Sequence, residues 1–118
     1  MDIPSSTPVV TGAARGLGRH LIDELLDRGV AKVYGLARDP GRVRRDDRVV
    51  PVAFDLLDPR SIAAAAASAA DATLLINNAS TALFAGPLDA TIDGVQQELA
   101  ANFTGTYATI RAFVPVLE

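Results

Sequence analysis

Cysteine is absent from the chain, histidine occurs once as His20, and lysine occurs once as Lys32. Without thiols there is neither a disulfide framework nor a thiolate metal site, and a single imidazole cannot build a histidine cluster, so no structural metal is expected. Positive charge is never concentrated: 11 basic residues stand against 14 acidic ones, for a net charge of −3. The arginines between Arg38 and Arg48 are interleaved with Asp39, Asp46 and Asp47, which leaves no sustained basic field to grip nucleic acid. No apolar run approaches the ~18 residues of a membrane span, and the opening MDIPSSTP has neither the basic nor the apolar region of a secretory signal. These absences read as a soluble, cytoplasmic protein with no nucleic-acid or membrane partner.

What the chain does have is apolar content, 49% over 118 residues, enough for one domain with a buried core and no evident internal linker or repeat. Short β-branched runs at 7–11, 32–36, 49–54 and 73–77 predict strands of the kind buried in parallel sheets. Between the first two, Leu17, Leu21, Ile22, Leu25 and Leu26 recur at helical spacing, with Gly29 where a helix stops. Asp58 and Pro59 read as an N-cap and first-turn proline ahead of an alanine-rich helix. From Thr91, a further N-cap, Val95, Leu99, Phe103, Thr106 or Tyr107, Ile110 and Val114 trace an apolar stripe that predicts one long helix lying on the sheet. Strand and helix alternate, so the expected fold is α/β: a Rossmann-like parallel sheet in the order 3-2-1-4 with helices on both faces. Pro8 cannot donate to a central ladder and is expected at the very start of the first strand.

The segment TGAARGLG, Thr11 to Gly18, lies between the first strand and the first helix. Gly12 permits a tight turn out of the strand, Gly16 leaves room for a pyrophosphate to reach the backbone, and Gly18 lets the helix approach closely. The helix N-terminus then faces the anion.

Here the sequence resembles the classical short-chain dehydrogenase/reductase family, whose Thr-Gly-x-x-x-Gly-x-Gly motif is matched by Thr11, Gly12, Gly16 and Gly18. Three further stretches agree in order: FDLLD presents Asp55 after the third strand, NNAS at 77–80 stands where the family has Asn-Asn-Ala-Gly, and NFTGTY at 102–107 resembles the segment carrying the family's structural and catalytic asparagine. Ser80 replaces the usual glycine. The resemblance spans essentially the whole chain and implies a nicotinamide dinucleotide bound by Gly12, Arg15, Gly16, Leu17 and Gly18 in the first loop. Arg38, Asp55, Leu56, Asn78 and Ala79 complete the implied contacts. It gives Asn102 a supporting part in a proton relay, which would account for an asparagine in a helix interior where propensity disfavours it.

Cofactor choice turns on the end of the second strand. A carboxylate there would bond both ribose hydroxyls of NAD, whereas arginine would pair with the 2′-phosphate of NADP. The resemblance sets Ala37 at the acid position with Arg38 beside it, and Arg15 offers a second cation, so NADP(H) is favoured. Asp39 keeps NAD(H) open.

The resemblance also implies chemistry that these 118 residues do not carry. Family members are longer, and their catalytic Ser and Tyr-x-x-x-Lys fall after the stretch matched here. No serine follows Ser80, Tyr107 precedes Arg111 rather than lysine at that spacing, and Lys32 belongs to the second strand. A tyrosine acidified by a neighbouring ammonium, the expected donor to a carbonyl, is therefore missing. The chain reads as the truncated, N-terminal cofactor-binding half of an oxidoreductase acting on a carbonyl or alcohol substrate, inactive alone. A non-catalytic dinucleotide-binding or interaction module, and a truncation product without independent function, remain as alternatives. Self-association is expected, because the fourth strand would be left as an open edge and the last helix carries surplus apolar surface.

Overall fold

The computed structural model describes residues 2–81 and 88–118. Four parallel strands, β1 (Pro8–Thr11), β2 (Val33–Ala37), β3 (Val49–Ala53) and β4 (Leu74–Ile76), form one sheet in the order β3-β2-β1-β4. This is the expected order. β1 is central, with Val9 opposite Tyr34 of β2 and Leu75 of β4. Pro8 is its first residue, and the preceding Thr7 N–H bonds the Thr73 hydroxyl, so the ladder begins on side-chain chemistry where proline cannot donate.

Helix α1 (Gly16–Asp27) crosses from β1 to β2 and ends on Gly29 at φ +90°. The Val30 N–H reaches back to the Leu25 carbonyl and the Gly29 N–H to that of Leu26, a left-handed glycine stop. Its apolar side, Ile22, Leu25 and Leu26, packs with Val10, Val30, Val33 and Val49 on one sheet face. Helix α2 (Pro59–Ser68) starts where Asp58 accepts the Arg60 N–H. It buries Ile62, Ala65 and Ala66 on the other face with Val9, Leu36, Phe54 and Phe113. Alternation along β1 thus feeds two cores, Val10 to the α1 side and Val9 to the α2 side.

The last helical run begins at the Thr91 cap, whose hydroxyl accepts the Gly94 N–H. It comprises α3 (Ile92–Leu99), a π-helical segment (Ala100–Gly105) and α4 (Thr106–Leu117). The apolar stripe expected to lie on the sheet does the reverse. Phe103 is 73% exposed, Leu99 60% and Tyr107 56%, and Val95, Ile110 and Val114 also face outward. The buried side is Ala101, Gly105, Thr109 and Phe113, so Phe113, which is not on the expected stripe, is the large side chain at the contact. The reason is distance. A Cβ at Gly105 would lie 2.4 Å from the Leu56 carbonyl oxygen, an approach that only small residues permit, while the π segment resets the phase of the helix ahead of α4.

Candidate functional site

The loops leaving the C-terminal ends of β1, β2, β3 and β4 meet along one end of the sheet. At the last residue of β1, Thr11 is almost wholly buried and its hydroxyl accepts two N–H groups from the loop after β4, those of Asn78 at 3.0 Å and Ala79 at 2.9 Å. The Asn78 side-chain amide donates back to the Gly12 carbonyl at 3.2 Å. Two loops 66 residues apart in sequence are thereby joined through three uncharged bonds.

The three glycines of the first loop stand where they do for different reasons. Gly12 turns the chain at φ +66°, and a Cβ there would lie 2.9 Å from the Ala79 Cα. A Cβ on Gly18 would sit 1.9 Å from the Gly12 carbonyl oxygen, so the close contact is between α1 and the turn itself. Gly16, at φ +56°, meets nothing within 4 Å and faces open space. Arg15 precedes α1 in extended conformation, and no side chain caps the α1 N-terminus, in contrast to the Asp58 and Thr91 caps of α2 and α3. No acidic residue occupies the first turn of α1. The first loop can therefore present backbone N–H groups to an anion. Leu17 stands exposed beside it.

At the end of β2, Ala37 is buried and its carbonyl accepts the Phe54 N–H, while the Leu36 carbonyl accepts the Ala13 N–H, so β1, β2 and β3 exit together. Arg38 is exposed and, like Arg15, forms no ion pair among the described residues. Asp55 folds back on its own turn, its Oδ1 accepting the Leu57 N–H at 2.9 Å. Ser61, which sequence reading passed over, holds this turn: its hydroxyl oxygen accepts the Asp55 N–H and lies in bonding reach of the Asp55 and Asp58 carbonyls. The signal was present as a serine three residues beyond the Asp58 cap. Leu56 packs partly into the α2 core.

Asn102 lies within the π segment, and its amide pairs with both backbone groups of Thr81: Oδ1 accepts the N–H at 2.7 Å and Nδ2 donates to the carbonyl at 2.6 Å. Those bonds give a physical reason for an asparagine there, since the carboxamide acts as a short strand partner for the loop after β4. Lys32 and Tyr34 sit at the opposite end of the sheet, where both bond Asp71. Burial and the Asp71 bond raise the Tyr34 pKa, the wrong direction for a proton donor near neutral pH. Tyr107 is on the outer face of α4, with the Arg111 guanidinium 6.0 Å from its ring centre.

Among the described residues no group of three or more His, Cys, Asp or Glu is placed to hold a metal, and no helix is long and apolar enough to cross a membrane.

Comparison with known proteins gives a consistent result. A family model for short chain dehydrogenases matches residues 6–118. The chain is similar to a short-chain dehydrogenase/reductase of Armillaria gallica, 30% identical over 100% of this chain and 41% of that protein. It is also similar to a D-erythrulose reductase of Gallus gallus, 33% identical over 80% of this chain and 40% of that protein. Among solved structures, a short chain dehydrogenase from Burkholderia cenocepacia J2315 in complex with NADP superposes with a TM-score of 0.93 at 40% identity, covering 99% of this chain and 50% of that one. The NADPH-bound carbonyl reductase from chicken fatty liver gives 0.86 at 29% identity, over 94% of this chain and 48% of that one. The chain thus spans about two fifths of the curated relatives and about half of the solved structures.

Proposed function

The chain belongs to the short-chain dehydrogenase family, and from that premise we propose that residues 1–118 are the NADP(H)-binding half of an oxidoreductase that moves hydride between a nicotinamide and a carbonyl or alcohol substrate. The observation that carries this reading is the first loop: Gly12 and Gly18 are fixed by contacts that admit no side chain, while Gly16 faces open space before a helix N-terminus that no side chain caps. That is the geometry a pyrophosphate requires. Gly12, Arg15, Gly16, Leu17 and Gly18 hold it, and Asp55, Leu56, Asn78 and Ala79 line the remainder. When bound, the dinucleotide supplies or accepts the hydride, and this chain's own part is to fix its position.

The cations at Arg15 and Arg38, with the apolar Ala37 between strand and loop, favour a ligand bearing a 2′-phosphate, as do the NADP and NADPH bound to the similar structures. Asn102 supports the site through Thr81. No Tyr-x-x-x-Lys occurs in these 118 residues, so the chain by itself binds cofactor without reducing carbonyls. Its exposed face, Leu99, Phe103, Tyr107, Ile110 and Val114, together with the side of β4 that has no strand partner among the described residues, gives it a surface for self-association, which light scattering over a dilution series tests; a monomer at every concentration overturns that part. The cofactor reading is tested by calorimetric titration with NADPH and NADH. A charge-assisted phosphate contact contributes about 1.5 to 3 kcal/mol, so NADPH binds at least about tenfold more tightly, and Arg38→Ala removes most of that margin. Equal affinities, or a preference unmoved by Arg38→Ala, overturn it.

A further inference from the structure

The two edge strands of the sheet, β3 and β4, are not alike. β4 covers Leu74–Ile76 alone, whereas β3 pairs with β2 along its whole length. Successive residues of a strand turn their backbone groups to opposite sides, and two bonds fix the phase of β3. The Arg48 carbonyl accepts the Val33 N–H, and the Phe54 N–H donates to the Ala37 carbonyl. Even-numbered residues from Arg48 to Phe54 therefore face β2, in keeping with the pairing of Gly35 with Pro51. Val49, Pro51, Ala53 and, just past the strand, Asp55 turn their nitrogens to the open side.

Those nitrogens offer a further strand very little. The Val49 N–H is taken by the Asp46 carbonyl and the Asp55 N–H by the Ser61 hydroxyl, each at 2.9 Å. Asp46 is itself anchored, since its carboxylate accepts both the Arg48 N–H and the Arg48 guanidinium. Pro51 is exposed and has no N–H, and its ring stands where that hydrogen would be. Proline at 50 or 52 would break the ladder with β2, but at 51 it costs the ladder nothing. Only the Ala53 N–H is left without an acceptor among the described residues. A strand laid along β3 would bury its own carbonyls against a proline ring and against donors already spent, and an unpaired buried carbonyl costs more than one net hydrogen bond returns.

We infer that the β3 edge is closed to strand addition by a second copy of this chain: Pro51 closes its centre, and the Asp46 carbonyl and the Ser61 hydroxyl close its two ends. Pairing of sheets between copies is thereby directed to β4. This closure names the edge that takes no part in the self-association proposed above, and it holds whether or not the chain binds a dinucleotide.

The test follows light scattering and amide hydrogen exchange over a dilution series of the unaltered chain, of Pro51→Val, and of Pro51→Val combined with Ala53→Pro. In the unaltered chain the Ala53 amide exchanges as fast at high concentration as at low, whatever association occurs elsewhere. Pro51→Val supplies an N–H and a strand-forming side chain without touching the ladder. Association then sets in at about tenfold lower concentration, the scale of one hydrogen bond gained and one unpaired carbonyl relieved, and the amides of residues 51 and 53 become protected as concentration rises. Ala53→Pro, whose nitrogen also faces the open side, closes the edge again and returns the onset to that of the unaltered chain, which an added valine acting merely as a sticky side chain would not allow. Concentration-dependent protection of the Ala53 amide in the unaltered chain overturns the inference, and that measurement needs no variant to fold. An unchanged onset in Pro51→Val with a native-like urea midpoint, or an earlier onset without protection at 51 and 53, overturns it as well. A monomeric unaltered chain overturns the self-association proposed above and leaves this inference standing if Pro51→Val associates through the same two amides.

Discussion

At the C-terminal end of the sheet the loops after β1 and β4 are joined by bonds between uncharged groups, whereas at the N-terminal end charged pairs tie the residues ahead of β2, β3 and β4, beside an uncharged bond between Thr7 and Thr73. Thr11, Asn78 and Asn102 make the first set, each pairing a hydroxyl or carboxamide with backbone. At the other end, the Asp71 carboxylate takes the Tyr34 hydroxyl on one oxygen and the Lys32 ammonium on the other. Arg48 grips Asp46 through two nitrogens and donates to the Leu26 carbonyl at the end of α1. The uncharged end is where glycines bring backbone to backbone, and a charged side chain would have neither room nor solvent there. The charged end is open to water, where ion pairs hold loops with little steric precision. On the dinucleotide reading proposed above, N–H groups of the first loop that face a pyrophosphate gain from neutral bonds at Thr11 and Asn78, which put no carboxylate beside that loop.

The comparison breaks most severely at Gly18. Alanine there would put a methyl 1.9 Å from the Gly12 carbonyl oxygen and 2.7 Å from the Asn78 amide nitrogen, and the Gly12 backbone cannot yield cheaply. Gly18→Ala is expected to destabilise the chain by about 3 kcal/mol, the upper part of the usual overpacking range, and to abolish dinucleotide binding. Urea denaturation with a parallel titration checks both. Thr11→Val is smaller and more selective: it keeps the shape and leaves the Asn78 and Ala79 N–H groups without their acceptor, for about 2 kcal/mol and a loosened cofactor loop. Native-like stability in Thr11→Val would show that water replaces the hydroxyl and that the neutral frame is not held there.

How far the sequence carried these features depends on the range of the interaction. Asp58 and Thr91 as caps and Gly29 as a stop were legible because each rests on bonds to residues within a turn or two, and Pro8 at a strand start because proline has no N–H to donate. The turn at Gly12 and the close approach at Gly18 were legible because such steric demands recur where a strand passes tightly into a helix, and the loops after β1 and β4 do meet at one end of the sheet. The buried side of α4 was not. Large apolar side chains signalled burial, yet the close contact required Ala101, Gly105 and Thr109, and three small side chains at four-residue spacing ahead of Phe113 are a weak pattern beside a stripe of Leu, Phe, Tyr and Ile. The π segment had no local signal either, because the bonds of Asn102 go to Thr81, 21 residues away. Ser61 and the 3-10 turn at Pro40–Arg42, capped by Asp39, lay within reach of short-range reasoning, whose Asp-Pro pattern was read at Asp58 but not at Asp39.

The smallest expected effects, at the charged end, sharpen the comparison through pH. The Lys32 bond holds the Asp71 carboxyl below the usual carboxylate range, and Arg48 brings Asp46 from 3.8 to about 2. A depressed folded pKa contributes stability above the unfolded value and loses it as pH falls through the folded one, so the acid arm of the stability curve falls from about pH 4. The Asp71 bond raises Lys32 and burial raises Tyr34; their stabilisation is present below the unfolded values near about 10 and is lost as pH rises through the folded ones. Asp71→Asn is therefore expected to leave Asp46 carrying the acid arm and to flatten the Lys32 part of the alkaline arm, with little change in stability or cofactor binding at neutral pH. Thr11→Val, acting on groups that do not titrate, is expected to lower the whole curve without altering its shape. Urea midpoints of the unaltered chain and both variants from pH 3 to 11 measure this directly. A curve for Thr11→Val that changes slope, or one for Asp71→Asn whose alkaline arm is unchanged, would mean that the Thr11 bonds are coupled to titrating groups or that Lys32 and Asp71 do not hold their end of the sheet, and the contrast between the two ends would fall.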